Sequence, residues 1–213
     1  VKQMVDAVVR KAAPERVSVS LPSLRLDSFS VDLADMVAGI RRTGLTVAPE
    51  AASPRLRALI NKRIPDEDLL DMADKAYSLG WEHVKLYFMI GLPTEREDDV
   101  QAIADLTLRT LAVGKGYNRK AKVNTGVSTF VPKPFTPLQW SRQITMEETE
   151  AKQSLLQNVF RKSGGGVRFG RHKAAETFLE GMVSRADRRG ANLIEAAFKL
   201  GCRFDAWDEH LNV

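Results

Sequence analysis

The chain has 213 residues, enough for one large domain or for a domain with an appendage. Apolar residues make up 44% and charged residues 28%, the balance of an ordinary globular protein, and no apolar run approaches the ~20 residues that span a bilayer. The formal net charge is +5, and the single cysteine, Cys202, excludes an internal disulfide and a cysteine-rich metal centre within the chain.

The first residues, VKQMVDAVVRKAAPERV, lack the apolar core and cleavage site of a signal peptide, so a cytoplasmic protein with no membrane partner is expected. The chain does not begin with Met, and the expectation is that Val1 is not the natural start. Basic clusters at Arg55–Arg63, Lys115–Lys122, Arg161–Lys173 and Arg185–Arg189 are not interleaved with base-stacking aromatics. They read as solvated helix faces and helix ends, and nucleic acid stays an unsupported alternative partner. The histidines His83, His172 and His210 have no metal-cluster spacing, and no residue is expected to ligate a metal.

In chain order, Met4–Ala12 reads as the end of an amphipathic helix and Val17–Leu21 as a short strand. Val31–Arg41 follows as a helix and Leu45–Ala48 as the second strand. Ser53-Pro54 is a helix start, with Ser as N-cap and Pro at the first helical position, and the helix reaches about Asn61. Pro65 and Asp66 restart a helix that Gly80 stops. Val84–Ile90, the most apolar run, reads as a strand buried on both faces. Gly91-Leu92-Pro93 turns it, and Thr94 with Glu97 forms a capping-box pattern for a helix to about Val113. Gly114–Lys120 then reads as a loop and Val123–Phe130 as the fourth strand.

Phe130–Trp140 holds three prolines and no helix signal, so a long, stiff loop is predicted. Thr145 and Glu148 open a helix that ends near Ser163, and Gly164–Gly166 turns the chain. Val167–Phe169 reads as a further short strand, followed by helices over Ala174–Arg185 and Asp187–Leu200. Strands alternating with helices predict right-handed βαβ crossovers. The fold expected is α/β: a partial TIM-like (β/α) barrel of four parallel βα units over residues 1–143, then a mainly helical extension over 144–213. The strand-end loops of such a barrel gather on one face, where chemistry is placed.

At those strand ends, Glu50 is suited to accept hydrogen bonds from a ribose diol, and Lys62 to pair with a ligand carboxylate. On spacing alone both read as surface charges. Arg25 and Asp27 either line the rim or pair with each other. Met89–Pro93 offers backbone and small bulk, which suits a flat base or a plain turn. Lys133 and Thr136 face either a substrate or solvent. No Ser-His-Asp, Cys-His or P-loop arrangement is present.

Four segments, in this order, carry a resemblance: SLPSLRLD at Ser20–Asp27, GLTVAPEAASPRLRALINK at Gly44–Lys62, KLYFMIGLPTE at Lys85–Glu95 and STFVPKPFTPLQW at Ser128–Trp140. Together they resemble the radical S-adenosylmethionine (SAM) superfamily. They look most like the C-terminal half of the barrel in cobalamin-binding-domain proteins of that superfamily, a group of Fe–S oxidoreductases. The tRNA methylthiotransferases and oxygen-independent coproporphyrinogen oxidases look like more distant kin.

The resemblance implies a [4Fe–4S] cluster, bound SAM, one-electron cleavage to a 5′-deoxyadenosyl radical, and hydrogen abstraction from an unknown substrate. It also implies a reductant such as flavodoxin or ferredoxin, and it leaves open whether cobalamin is held by a domain upstream. The Cys-x₃-Cys-x₂-Cys cluster loop and a glycine-rich stretch of the family are not in this chain. They are expected upstream of Val1, which would leave the fragment inactive by itself. By the same resemblance Glu50 contacts the SAM ribose and Lys62 the SAM carboxylate. Ser20 and Arg25 line the pocket, Ile90, Gly91 and Leu92 lie beside the adenine, and Phe130 and Val131 pack near it. Tyr87 stands where many relatives carry an acid.

Two other functions remain open at this stage. One is an aldolase-type barrel enzyme with a Schiff-base lysine, for which Lys85 and Lys122 border strands. The other is an RNA-binding module related to tRNA modification.

Overall fold

The computed structural model describes residues 2–12, 14–15 and 45–203. The strand expected at Val17–Leu21 and the helix at Val31–Arg41 lie outside the described residues, together with Ser20, Arg25 and Asp27. The elements are α1 (Lys2–Ala12), β1 (Leu45–Glu50), α2 (Pro54–Leu59), α3 (Asp66–Ser78), β2 (His83–Ile90), α4 (Glu97–Tyr117), β3 (Lys122–Thr129), α5 (Met146–Lys162), β4 (Val167–Arg171), α6 (Ala174–Arg185) and α7 (Gly190–Lys199).

The four strands form one parallel sheet in the order β1-β2-β3-β4. The class is the expected one: parallel strands alternating with helices in a partial TIM-like arrangement, with a helical C-terminal part. Of the four strands expected in the barrel units, those at Leu45, Val84 and Val123 form in that order. The fourth described strand is the short run at Val167, beyond residue 143, where it extends the sheet on the edge of β3.

One face of the sheet is covered by α3, α4 and α5. Leu45, Val47, Val84, Leu86, Phe88, Ile90, Val123 and Val127 point into it and meet Leu69 and Met72 of α3, Val100 and Ile103 of α4, and Leu156 and Phe160 of α5. Each large side chain fully buried there contributes about 1.5–3 kcal/mol. The opposite face carries Thr46, Lys85, Tyr87, Asn124, Gly126, Ser128 and Arg168, partly or fully exposed. This corrects the expectation for Val84–Ile90. β2 alternates buried and open positions, and Tyr87 is 47% exposed. Its apolar look arises because Tyr87 and Met89 occupy the open face.

Two helix boundaries also differ from expectation. α4 runs through Gly114 and Gly116 to Tyr117, where a loop from Gly114 was expected. Gly114 is required for packing, because a Cβ there would sit 2.6 Å from the ring of Tyr77 on α3. The N-terminus of α4 is set by Asp99, which accepts the N–H of Arg96 at 2.8 Å, and not by Thr94 and Glu97. The second capping box forms as read: Thr145 N–H donates to Glu148, and Glu148 N–H to Thr145 Oγ1.

Candidate functional site

Because all four strands are parallel, their C-terminal ends lie along one edge. The segments after β1 (51–53), β2 (91–96) and β3 (130–145) therefore share a rim. The loop expected at Ser20–Asp27 lies outside the described residues.

Glu50 reaches this rim through a break in pairing. Val47 is opposite Leu86 but Glu50 is opposite Phe88, so β1 carries one extra residue over Ala48-Pro49. Proline cannot donate to a ladder and is tolerated at such a bulge. Glu50 then adopts φ 68°, a left-handed conformation uncommon outside glycine. The bulge leaves the Ala48 carbonyl outside the ladder, and Lys62 Nζ donates to it. The same ammonium lies 3.3 Å from Glu50 Oε1. The structure thus brings the two candidates together as a pair, each about one-third exposed. An ammonium has three donors, so one proton of Lys62 is left over after these two acceptors.

The rim loops are pinned to one another by charged side chains that sequence reasoning did not single out. Ser53 Oγ donates to Asp99 Oδ1 at 2.5 Å, and Arg55 donates to Thr94 Oγ1, to the Thr94 carbonyl and to Asp99. This ties the loop after β1 to the loop after β2. Burial pushes the Asp99 carboxyl up, but hydrogen bonds from Ser53, the Arg96 N–H and Arg55 outweigh it and hold it below the usual carboxylate range. Arg57, 2% exposed, donates to the carbonyls of Ala51 and Ala52 and pairs with Asp66 at the start of α3. Glu95 accepts the Gly91 N–H at 2.9 Å and pairs with Lys152 of α5 at 2.9 Å.

A cavity of about 540 Å³ opens on the rim. Of the predicted site residues, Leu92, Phe130 and Val131 line it. Leu92 and Phe130 are also part of a small apolar cluster with Ala51 and Leu56. The Ile90 side chain lies in the main core instead, and its carbonyl accepts the Phe130 N–H at 2.8 Å. Gly91 has φ 80°, and Ile144 packs so closely that a Cβ would meet it at 2.8 Å. Glu50 and Lys62 are not among the residues lining this cavity; the connection between them reaches it through Leu59, Ile60 and Asn61. Lys133 and Thr136 do face the cavity, and Lys133 pairs there with Glu180.

His172 and Glu180 complete the cavity from beyond β4. Neither had a local signal, because only the β3–β4 pairing carries that distant stretch of chain to the rim. As for the Schiff-base candidates, Lys85 lies within β2 on the open polar face and Lys122 is exposed at the start of β3, so neither sits in an apolar pocket.

A parallel α/β sheet with a pinned rim of strand-end loops and an adjoining cavity is the architecture of a partial TIM-like barrel. Residues 2–107 match the sequence model described as the radical SAM superfamily. The chain is 38% identical over 123 residues to the uncharacterized protein MJ0966 of Methanocaldococcus jannaschii, a match covering 58% of this chain. The chain spans 26% of that relative's length. Among solved structures it resembles Streptococcus suis SuiB, with a TM-score of 0.58 at 6% identity, over 86% of this chain and 39% of that one. At that identity the likeness is one of fold. Among the described residues, no helix is long and apolar enough to cross a membrane.

Proposed function

We propose that this chain supplies SAM-binding strand ends to a radical SAM iron–sulfur enzyme. The observation that carries the reading is the Glu50–Lys62 pair at the β1 bulge, on the same strand-end rim as an apolar-walled cavity. The residues fit SAM. The spare proton of Lys62 would meet the methionine carboxylate, and Glu50 would accept from the ribose. Leu92, Phe130 and Val131 would exclude water around the adenine. The chemistry supplied by bound SAM is reductive cleavage to a 5′-deoxyadenosyl radical that abstracts a substrate hydrogen. The pinning of Ser53, Arg55 and Asp99 would keep the rim in one geometry while the ligand enters.

The residues do not fit the cluster. An iron–sulfur site of this kind takes several cysteine thiolates, and the chain has only Cys202. Among the described residues no group of His, Cys, Asp and Glu is arranged to hold a metal ion. No step is therefore assigned to a cluster held by this chain, and the chain by itself is proposed to be inactive. The cobalamin domain, a flavodoxin or ferredoxin reductant and a cytoplasmic setting belong to the same proposal and rest on the motif resemblance.

Isothermal titration of SAM against the complete, cluster-loaded protein tests the assignment. Glu50→Ala and Lys62→Ala should each weaken binding by about 1–3 kcal/mol, the range for hydrogen bonds to charged groups. Glu50→Gln should recover part of the loss by keeping an acceptor for the ribose. If Glu50→Ala and Lys62→Ala both bind SAM as the parent does, the pair is an ordinary surface ion pair and the assignment is wrong.

A further inference from the structure

We propose that the open face of the sheet holds a terminal anionic group of the substrate, a carboxylate or phosphate, between Lys85 and Arg168. The inference that this anion belongs to the substrate rests on the function proposed above; the anion site itself stands on separate observations.

Register places the two cations in one row. Lys85 is opposite Asn124, and Asn124 is opposite Arg168. Neighbouring strands are about 4.8 Å apart, so the two Cα atoms lie about 10 Å apart with an amide between them. The next row toward the rim is Tyr87, Gly126 and Gly170. The Tyr87 ring lies over Gly126, where a Cβ would come within 2.8 Å of it, and the space above Gly170 is open. The result is a hollow of about 410 Å³ with a cationic base and a glycine floor.

No acidic side chain among the described residues lines this hollow. Among the described residues, neither the Lys85 nor the Arg168 side chain has a hydrogen-bond or ion-pair partner. The other charged groups nearby are engaged elsewhere. Arg171 lies over the Phe169 ring and donates to Gln157. Glu50 pairs with Lys62, and Glu180 with Lys133. Two like charges facing one space make it favourable for an anion, and an ammonium and a guanidinium with an amide between them supply donors that suit either a carboxylate or a phosphate.

The hollow and the rim cavity are neighbours, since Ser128 and His172 line both. From Lys85 to Met89 at the rim the strand rises about 13 Å. An anion held at the base would therefore send the rest of an elongated molecule upward past Tyr87, toward the ligand at the strand ends. The substrate class inferred is an elongated small molecule with a terminal carboxylate or phosphate.

The test is a titration of the isotope-labelled chain with inorganic phosphate and, separately, with acetate, at constant ionic strength in chloride, read by amide NMR shifts. Saturable shifts are expected at Lys85, Asn124, Gly126 and Arg168 for at least one anion, and the tighter one assigns the group. Lys85→Met and Arg168→Met should each weaken binding about tenfold, the effect of losing one charge-assisted hydrogen bond. Arg168→Lys should retain most of it. Both side chains lie on the open face, so the same spectra report whether the core is intact. Unsaturable shifts, shifts equally strong along Lys115–Lys122, or unchanged binding in both Met variants would overturn the proposal. The SAM titration of the complete protein separates the two readings. Loss of the anion site with SAM binding intact sinks only this inference, and the reverse sinks only the SAM assignment.

Discussion

Asp99 shows how one carboxylate can hold a functional rim together. It receives Ser53 and Arg55 from the loop after β1 and the Arg96 N–H from the loop after β2. Asp99→Ala would strand these donors in a nearly buried place, at a cost of about 1.5–3 kcal/mol. A fall of several degrees in Tm is the expected outcome in a calorimetric scan. Because folding depresses the Asp99 pKa, its contribution is present above the ordinary value of 3.8 and disappears as pH falls through the lower folded value. Parent and Asp99→Ala melts compared at neutral pH and again well below pH 3.8 should converge on the acid side. A gap that stays constant with pH would show that the carboxylate charge is not what joins the loops.

At the level of elements, the α3–α4 contact decides where β3 begins. The Tyr77 ring fills the notch over Gly114, and its hydroxyl donates to the Lys122 carbonyl at 3.1 Å. Two effects compete in Gly114→Ala. Alanine favours a helix over glycine by about 1 kcal/mol. Overpacking into the ring costs about 1–3 kcal/mol. Net destabilisation in urea unfolding is the expected result, and a stabilised variant would mean that the helices separate freely. Burial pushes the Tyr77 phenol up to about 12. A raised pKa means that its stabilising share is complete below pH 10 and is lost as pH rises toward 12. Tyr77→Phe should lose about 1 kcal/mol at neutral pH with the hydrogen bond and be less sensitive than the parent across that alkaline window.

Among the described residues, the sheet has one face sealed by helices and one face open and polar. The sealed face supplies stability; the open face and the rim supply the candidate sites. The chain spans 26% of the length of MJ0966, and the function proposed above leaves the cluster to residues outside it. The single cysteine makes the division of labour measurable. Anaerobic reconstitution of this chain with iron and sulfide should leave it well short of stoichiometric four-iron loading. Full loading would refute the proposal that the cluster is held by residues outside it.

Local chemistry sufficed for much of this protein. Short apolar runs placed β1 to β3, period-3.6 patterning placed most helices, and Ser53-Pro54 and Thr145–Glu148 marked helix starts through backbone donors that any helix must satisfy. Gly44–Lys62 and Lys85–Glu95 carried the family resemblance in their order along the chain. What local pattern could not decide was which faces touch. Gly114 looked like a loop residue because its partner, Tyr77, lies on another helix. Val84–Ile90 looked buried on both faces because hydropathy does not record that helices cover only one of them. The pairing of Glu50 with Lys62 depended on a bulge, which exists only against a neighbouring strand. Lys85 and Arg168 lie far apart in sequence and became neighbours through β3. Their shared hollow is a product of register, a property of paired strands that no single strand contains.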